Sequence, residues 1–144
     1  MLDQIRLFDQ LRPVALLLAR LVVGVIFLAH GLVKFTGGIS GTAAFFERIG
    51  IPLPGLAAPV VAVVEVLGGL AFILGALLPI FAVLLTVDMI GAIVFAHLDS
   101  GFWARDGGIE WPMALAAATL AAGFTGGGAL ALDSVLGKRL AARH

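Results

Sequence analysis

Ionisable side chains occur inside stretches of the chain that are otherwise apolar enough to cross a lipid bilayer. Arg20, His30 and Lys34 lie in the first such stretch, Glu65 lies in the second, and Asp88 lies in the third. An isolated charge in the hydrocarbon core costs about 2.5 kcal/mol or more, so these groups are expected to face protein or water. Acids and histidines held at such a depth can bind polar head groups or transfer protons.

Three of these groups are predicted to lie at a similar depth. At about 1.5 Å per residue, Arg20 lies about 10 Å and Asp88 about 14 Å from the side of the termini, with Glu65 near the middle. Because pairing offsets the cost of burial, we expect Arg20 to face Asp88, Glu65 or both. One base against two acids leaves one carboxylate in excess, which favours a proton held on one acid. A purely structural role in fixing helix register stays open.

A second polar group is expected near the opposite membrane surface. His30 and Lys34 lie one helical turn apart on one face, where they would present donors to a head group or carbonyl. Snorkelling of Lys34 to the interface is the alternative. Further candidates on this side are His97, Asp99, Trp103 and Trp111. Tryptophan is typical of interfacial belts, and at about 100° per residue His97 lies opposite Asp88 on its helix.

The composition is that of an integral membrane protein. Of the 144 residues, 61% are hydrophobic and 12% are charged, whereas soluble domains average about 45–50% and about 25%. A net charge of zero without basic runs argues against nucleic acid as a partner. The chain has no cysteine for disulfides or metal clusters, and no nucleotide or metal-ligand motif is visible. The sequence therefore predicts no metal site, carries no cofactor motif and identifies no catalytic residue.

Four apolar stretches are predicted to form a four-helix bundle in one all-α membrane domain that covers residues 1–144. The predicted spans are about 14–35, 56–77, 79–98 and 110–126, and Pro13 is expected to begin the first helix. The first loop contains TAAFFERI over residues 42–49, whose apolar side suits a short helix in the membrane interface. An amphipathic cytoplasmic tail is expected over residues 133–144, with Asp133 as its N-cap.

Basic residues predict the orientation of the chain. Four crossings put both termini on one side, with Arg6, Arg12, Lys138, Arg139 and Arg143. The opposite side holds Lys34, Arg48 and Arg105. Because basic residues are in excess on the cytoplasmic side of membrane proteins, both termini are predicted to be cytoplasmic.

Several motifs occur in an order that resembles the DoxX family of small four-helix membrane proteins. They are Arg20 with Gly24, Phe27, Gly31, Lys34 and Phe35; Gly50-Ile51-Pro52; Glu65-Val66-Leu67-Gly68-Gly69 with Gly75; and Gly126 and Gly128 before Asp133. Ala131 and Gly127 depart from the serine and proline usual in the family. The resemblance covers nearly the whole chain. It implies a bacterial inner-membrane protein linked to quinone-dependent sulfur oxidation or to assemblies that deal with radicals and oxidised thiols.

The resemblance and the buried charges together predict a membrane subunit or accessory factor of a redox system, with a quinone or similar lipophilic molecule as its ligand. Arg20, Glu65 and Asp88 would form a polar floor or proton path, and His30 and Lys34 an outer wall. Electrons would come from a redox partner protein or a bound cofactor, and whether the chain is itself an enzyme stays open. The alternatives are a non-enzymatic scaffold or chaperone and a small proton-coupled transporter, for which a homo-oligomer could supply further helices.

Overall fold

The computed structural model describes residues 2–141 of the chain, with side chains described over residues 7–135. Its α-helices are α1 (Leu2–Thr36), α2 (Ile39–Arg48), α3 (Pro54–Leu74), α4 (Leu78–Ala92), α5 (Glu110–Phe124) and α6 (Leu132–Ala141). A π-helical segment, Ile93–His97, and a 3-10 turn, Leu98–Ser100, continue α4, and a second 3-10 turn, Ala104–Asp106, precedes α5. The described residues form helices and the loops between them, so the predicted all-helical class is confirmed.

Three helical stretches are long and apolar enough to cross a bilayer. They are Leu7–Thr36, Pro54–Leu74 and Leu78–Ser100, and they correspond to the first three predicted spans. The chain is therefore a membrane protein. The fourth predicted span corresponds to α5, whose 15 residues cover about 22 Å at 1.5 Å per residue. Its crossing of the membrane stays a prediction.

Two helix boundaries differ from the sequence prediction. Helix α1 starts at Leu2, and Pro13 lies inside it. Good helix formers before Pro13 allow the helix to begin earlier, at the loss of one backbone hydrogen bond. The turn between α3 and α4 consists of residues 75–77, whereas the predicted spans left only Leu78 between the two helices. Pro79 falls in the first turn of α4, where its missing N–H is tolerated.

Two sequence predictions reach beyond the described residues. Helix α6 forms the described part of the predicted tail, and residues 142–144 lie outside it. The side chains of Arg6, Lys138, Arg139 and Arg143, on which the predicted orientation depends, also lie outside the described side chains.

The helices pack in a closed series of neighbours. Helix α1 packs against α3, α3 against α4, α4 against α5, and α5 against α1, while α2 lies on α3. Helices α1 and α3 approach each other closely at Gly24 and Gly69. A Cβ on Gly69 would lie 2.5 Å from the backbone nitrogen of Leu28, and one on Gly24 would lie 2.7 Å from the carbonyl oxygen of Gly69. Small residues allow the two backbones to come this close. In a membrane, such close packing drives helix association, because apolar lipid leaves no hydrophobic driving force between helices.

We predict that Gly69→Ala destabilises the protein by about 1–3 kcal/mol, because the added methyl group forces two backbones apart. Gly55→Ala is the matched control in the same helix, since a Cβ there meets nothing within 4 Å. Thermal unfolding in detergent measures both variants. Equal stability of the two variants would contradict the close packing of α1 on α3.

Candidate functional site

A cavity of about 650 Å³ lies among α1, α2, α3, α4, the π-helical segment and the start of α5. This volume falls in the range of about 300–1,000 Å³ that is typical of small-molecule sites. Most of the lining is apolar and includes Phe27, Phe45, Phe46, Val61, Met89 and Leu115. Helix α2 contributes two phenylalanines to this lining, of which Phe46 is buried and Phe45 is 41% exposed.

The cavity brings together most of the polar residues that the sequence singled out. Those that line it are His30, Lys34, Glu65, Asp88, His97 and Trp111, joined by Ser100, which the sequence reading did not select. Arg20, Asp99 and Trp103 are not among its lining residues. Trp103 is exposed and stacks edge-on against Phe102, with the Arg105 guanidinium 5.9 Å from its ring.

An ion pair between Lys34 and Glu65 forms the polar floor of the cavity. Lys34 Nζ lies 2.5 Å from Glu65 Oε2, and the two side chains are 19% and 4% exposed. Lys34 Nζ also donates to the carbonyl oxygen of His30 at 3.4 Å. Helical side chains lean toward the N-terminus of their helix, so this long side chain reaches deeper than its Cα. Snorkelling of Lys34 is therefore not what the structure shows.

Asp88 adds a second acid to this ion pair. Its carboxyl group is close enough to Glu65 and Lys34 to interact electrostatically with both. Its Oδ2 atom is buried and has no hydrogen-bond partner among the described residues. One cation thus faces two acids, and this cation is Lys34 and not Arg20, which the sequence prediction named.

Both histidines of the cavity hold their Nδ1 atoms against backbone carbonyls. His30 Nδ1 lies 2.9 Å from the Ile26 oxygen, and His97 Nδ1 lies 2.6 Å from the Gly107 oxygen. A carbonyl oxygen can only accept, so Nδ1 carries the proton in each ring. In the neutral form, Nε2 of each ring is then a hydrogen-bond acceptor.

The π-helical segment explains how His97 reaches the cavity. Nine residues separate it from Asp88, which in a regular α-helix places the two on opposite faces. The wider turns of Ile93–His97 change this phase. Both residues consequently line the same cavity. Such segments are often found at functional sites.

The prediction that Arg20 pairs with Glu65 or Asp88 is wrong. Arg20 is buried, at 2% exposure, but its Nη1 donates to the Gly127 oxygen at 2.8 Å and its Nη2 to the Ala129 oxygen at 3.4 Å. These carbonyls belong to the loop between α5 and α6. The guanidinium bonds to backbone through its two terminal nitrogens, whereas its Nε has no hydrogen-bond partner among the described residues. The carboxylate that interacts with it electrostatically is Asp133.

Asp133 completes this second polar cluster, which we call the loop clasp and which consists of Arg20, Gly75, Gly127, Ala129 and Asp133. Asp133 does not cap its own helix as predicted. Its carboxylate accepts from the backbone nitrogens of Leu77, at 2.9 Å, and Leu78, at 3.2 Å, and so caps α4. Its backbone nitrogen donates to the Gly75 oxygen at 3.0 Å. The clasp joins the ends of α3, α4 and α5 to α1 and has no cavity-lining residue.

Potential metal-ligating side chains are not clustered in the described part of the chain. Over the described residues, no group of three or more histidine, aspartate and glutamate side chains could hold a metal ion.

Comparison with known proteins gives a consistent set of relatives. The DoxX family model matches residues 15–98. The chain is 38% identical to "Putative oxidoreductase CatD" of Bacillus subtilis over 117 residues, which cover 81% of this chain and 83% of the relative. It is 33% identical to "Inner membrane protein YphA" of Escherichia coli, over 92% of this chain and 99% of the relative. It is also 33% identical to "Uncharacterized membrane protein Rv3486" of Mycobacterium tuberculosis, over 95% and 90%. No solved structure gives a significant match.

We predict that Arg20→Met lowers the free energy of unfolding by about 3 kcal/mol, because it leaves the Gly127 and Ala129 carbonyls without their charged donor. Arg105→Met is the control, since the Arg105 side chain is 81% exposed. Denaturant titration in detergent measures the difference. If the Arg20→Met protein were as stable as the Arg105→Met protein, the hydrogen bonds of Arg20 in the loop clasp would not contribute to the stability of the fold.

We also predict that Lys34→Met destabilises the protein by about 3–5 kcal/mol, since it leaves the buried Glu65 carboxylate without its cation. The double variant Lys34→Met with Glu65→Leu is expected to recover part of this loss. A double-mutant cycle of unfolding free energies measures the coupling. Strictly additive effects would mean that the ion pair contributes nothing.

Proposed function

Since this chain belongs to the DoxX family of membrane proteins, we propose that it binds a small lipophilic molecule with a polar head group in the cavity above the Lys34–Glu65 pair. The observation that carries the proposal is the cavity itself, which combines an apolar lining with charged groups at one end. Pockets of this kind take ligands whose apolar body is buried and whose polar atoms are oriented by a few convergent groups. Quinones are the leading candidate class, because they join a flat polar ring to an apolar tail.

We further propose that the protein serves a redox system as a membrane subunit or accessory factor. The charged groups and the two histidines supply sites at which a proton can be held near a bound head group. One relative carries the word oxidoreductase in its name. The chain has no cysteine, so electrons would reach the ligand from a partner protein or a bound cofactor.

The membrane arrangement that fits this function has four crossings within one domain. In this arrangement α5 forms a short fourth crossing beside α4, and α2 lies in the interface and covers the cavity. Both termini face the cytoplasm of a bacterium, which puts the loop clasp at the cytoplasmic end and the cavity toward the opposite surface. The ligand then enters from the outer half of the bilayer.

Gly91 offers a direct test of ligand binding. It lies on α4 and lines the cavity, and a Cβ added to it would meet nothing within 4 Å. Gly91→Leu should therefore occupy ligand volume without disturbing the packed helices. We predict that it weakens binding of short-tailed ubiquinone and menaquinone analogues at least about tenfold, because the ligand loses its space.

Gly55→Leu is the matched control, because Gly55 is also helical and open but does not line the cavity. Isothermal titration calorimetry in lipid nanodiscs measures the dissociation constants. The absence of saturable binding by the unmodified protein, or equal binding by the Gly91→Leu and unmodified proteins, would refute the proposal.

A further inference from the structure

One side of the cavity wall consists of apolar residues that are also exposed. Val87 is 61% exposed, Phe45 and Phe95 are exposed as well, and all three line the cavity. The ion pair of Lys34 and Glu65 lies deeper. A side chain that lines a cavity and is also exposed on the surface marks an opening of that cavity. The three apolar residues therefore form the rim of an opening, which we call the lateral mouth.

The lateral mouth exists because α3 and α4 separate as they leave the turn that joins them. Close to the turn the two helices touch, and a Cβ on Gly68 would lie 2.8 Å from Leu85 Cδ1. Farther along α4, a Cβ on Gly91 would meet nothing within 4 Å. Gly91 and Val61 line the cavity from the two helices. Helix α2 packs mainly against α3, so it borders this gap from the α3 side.

The depth of the lateral mouth places it inside the hydrocarbon region. The helical stretch Leu78–Ser100 is long enough to cross a bilayer. Val87 lies nine residues after Leu78, or about 14 Å at 1.5 Å per residue, and the hydrocarbon core is about 30 Å thick. An opening near the middle of the bilayer faces acyl chains and not water. Its apolar rim fits that environment, because polar groups exposed to lipid cost free energy.

The cavity has a different edge near the loop that precedes α5. Ser100, Gly107 and Trp111 line the cavity there, and Ser100 and Trp111 are exposed. This edge carries hydroxyl, peptide and indole groups, which suit the membrane interface. Of the two edges, the lateral mouth is the one suited to a hydrocarbon chain.

We infer that the ligand enters through the lateral mouth and that its hydrocarbon chain stays there, running past Val87 into the bilayer while the head group occupies the cavity. This inference rests on the proposed function, because it concerns the ligand of the same cavity. It names the class of ligand, an amphiphile with one small polar head and a long chain that the protein does not enclose. The chain beyond the mouth remains in lipid, which is as apolar as the rim. Affinity therefore depends on the head group and the first part of the chain.

Three quinone probes with the same ring test where the hydrocarbon chain goes. They carry a short alkyl chain, a full-length isoprenoid chain, and a long alkyl chain that ends in a polycyclic hydrocarbon too large for the cavity. Calorimetry in lipid nanodiscs, with concentrations expressed per lipid, is expected to give dissociation constants that agree within about threefold, because chain atoms beyond the mouth keep the same apolar surroundings. A cavity closed at this point would bind the short probe and reject the bulky one.

A fluorescent label at the lateral mouth locates the hydrocarbon chain directly. The protein has no native cysteine, so Val87→Cys can be labelled at a single site, and Val25→Cys is the matched control. Val25 lies in the first spanning helix, is 56% exposed and does not line the cavity. A quinone with bromine atoms along its chain quenches a fluorophore that it contacts. We expect saturable quenching at position 87, and at position 25 only quenching that rises in proportion to the added probe.

The outcomes separate this inference from the proposed function. If the bulky probe fails to bind while the short one binds, or if the labels at positions 25 and 87 are quenched alike, the chain does not leave through the lateral mouth. The proposed function then still stands, provided that Gly91→Leu weakens binding of the short probe. If none of the probes binds saturably, both proposals are overturned.

Discussion

The ion pair between Lys34 and Glu65 is the interaction on which the cavity depends. A lysine or a glutamate alone at this level would have to leave the hydrocarbon region or lose its charge. Held 2.5 Å apart, the two tie α1 to α3 and allow polar groups to remain at the end of an apolar pocket. Asp88 on α4 completes the cluster, so three helices contribute one group each to the same floor.

Much of the fold could be predicted from hydropathy, because the bilayer allows few solutions for long apolar segments. Depth could also be counted along the helices, and Glu65 and Asp88, predicted at one level, do line one cavity. Counting residues along a helix gives the depth of a side chain but not the direction in which it points. It also says nothing about the backbone groups of other segments that surround the side chain. For this reason the sequence does not reveal the partners of Arg20, which are carbonyl oxygens in the loop after α5.

Two further residues show why local geometry could not be predicted from the sequence. Sequence spacing places Lys34 in the outer wall, but the length and tilt of its side chain bring its ammonium group to Glu65. Regular helical spacing directs His97 away from Asp88, whereas the chain forms a π-helical segment between the two residues. Such segments have no simple composition signal, so the phase change was visible only in three dimensions.

The loop clasp and the cavity share no residue, and this separation has an evolutionary consequence. One end of the molecule closes the helices with backbone carbonyls, a charged cap and tight glycines, whereas the other end determines what is bound. Substitutions in the apolar pocket walls, away from the Lys34–Glu65 pair, can accumulate without loosening the closure at the far end. A lineage built on this plan can therefore diversify its chemistry while its architecture stays constant, and a protein engineer can redesign one end and leave the other alone.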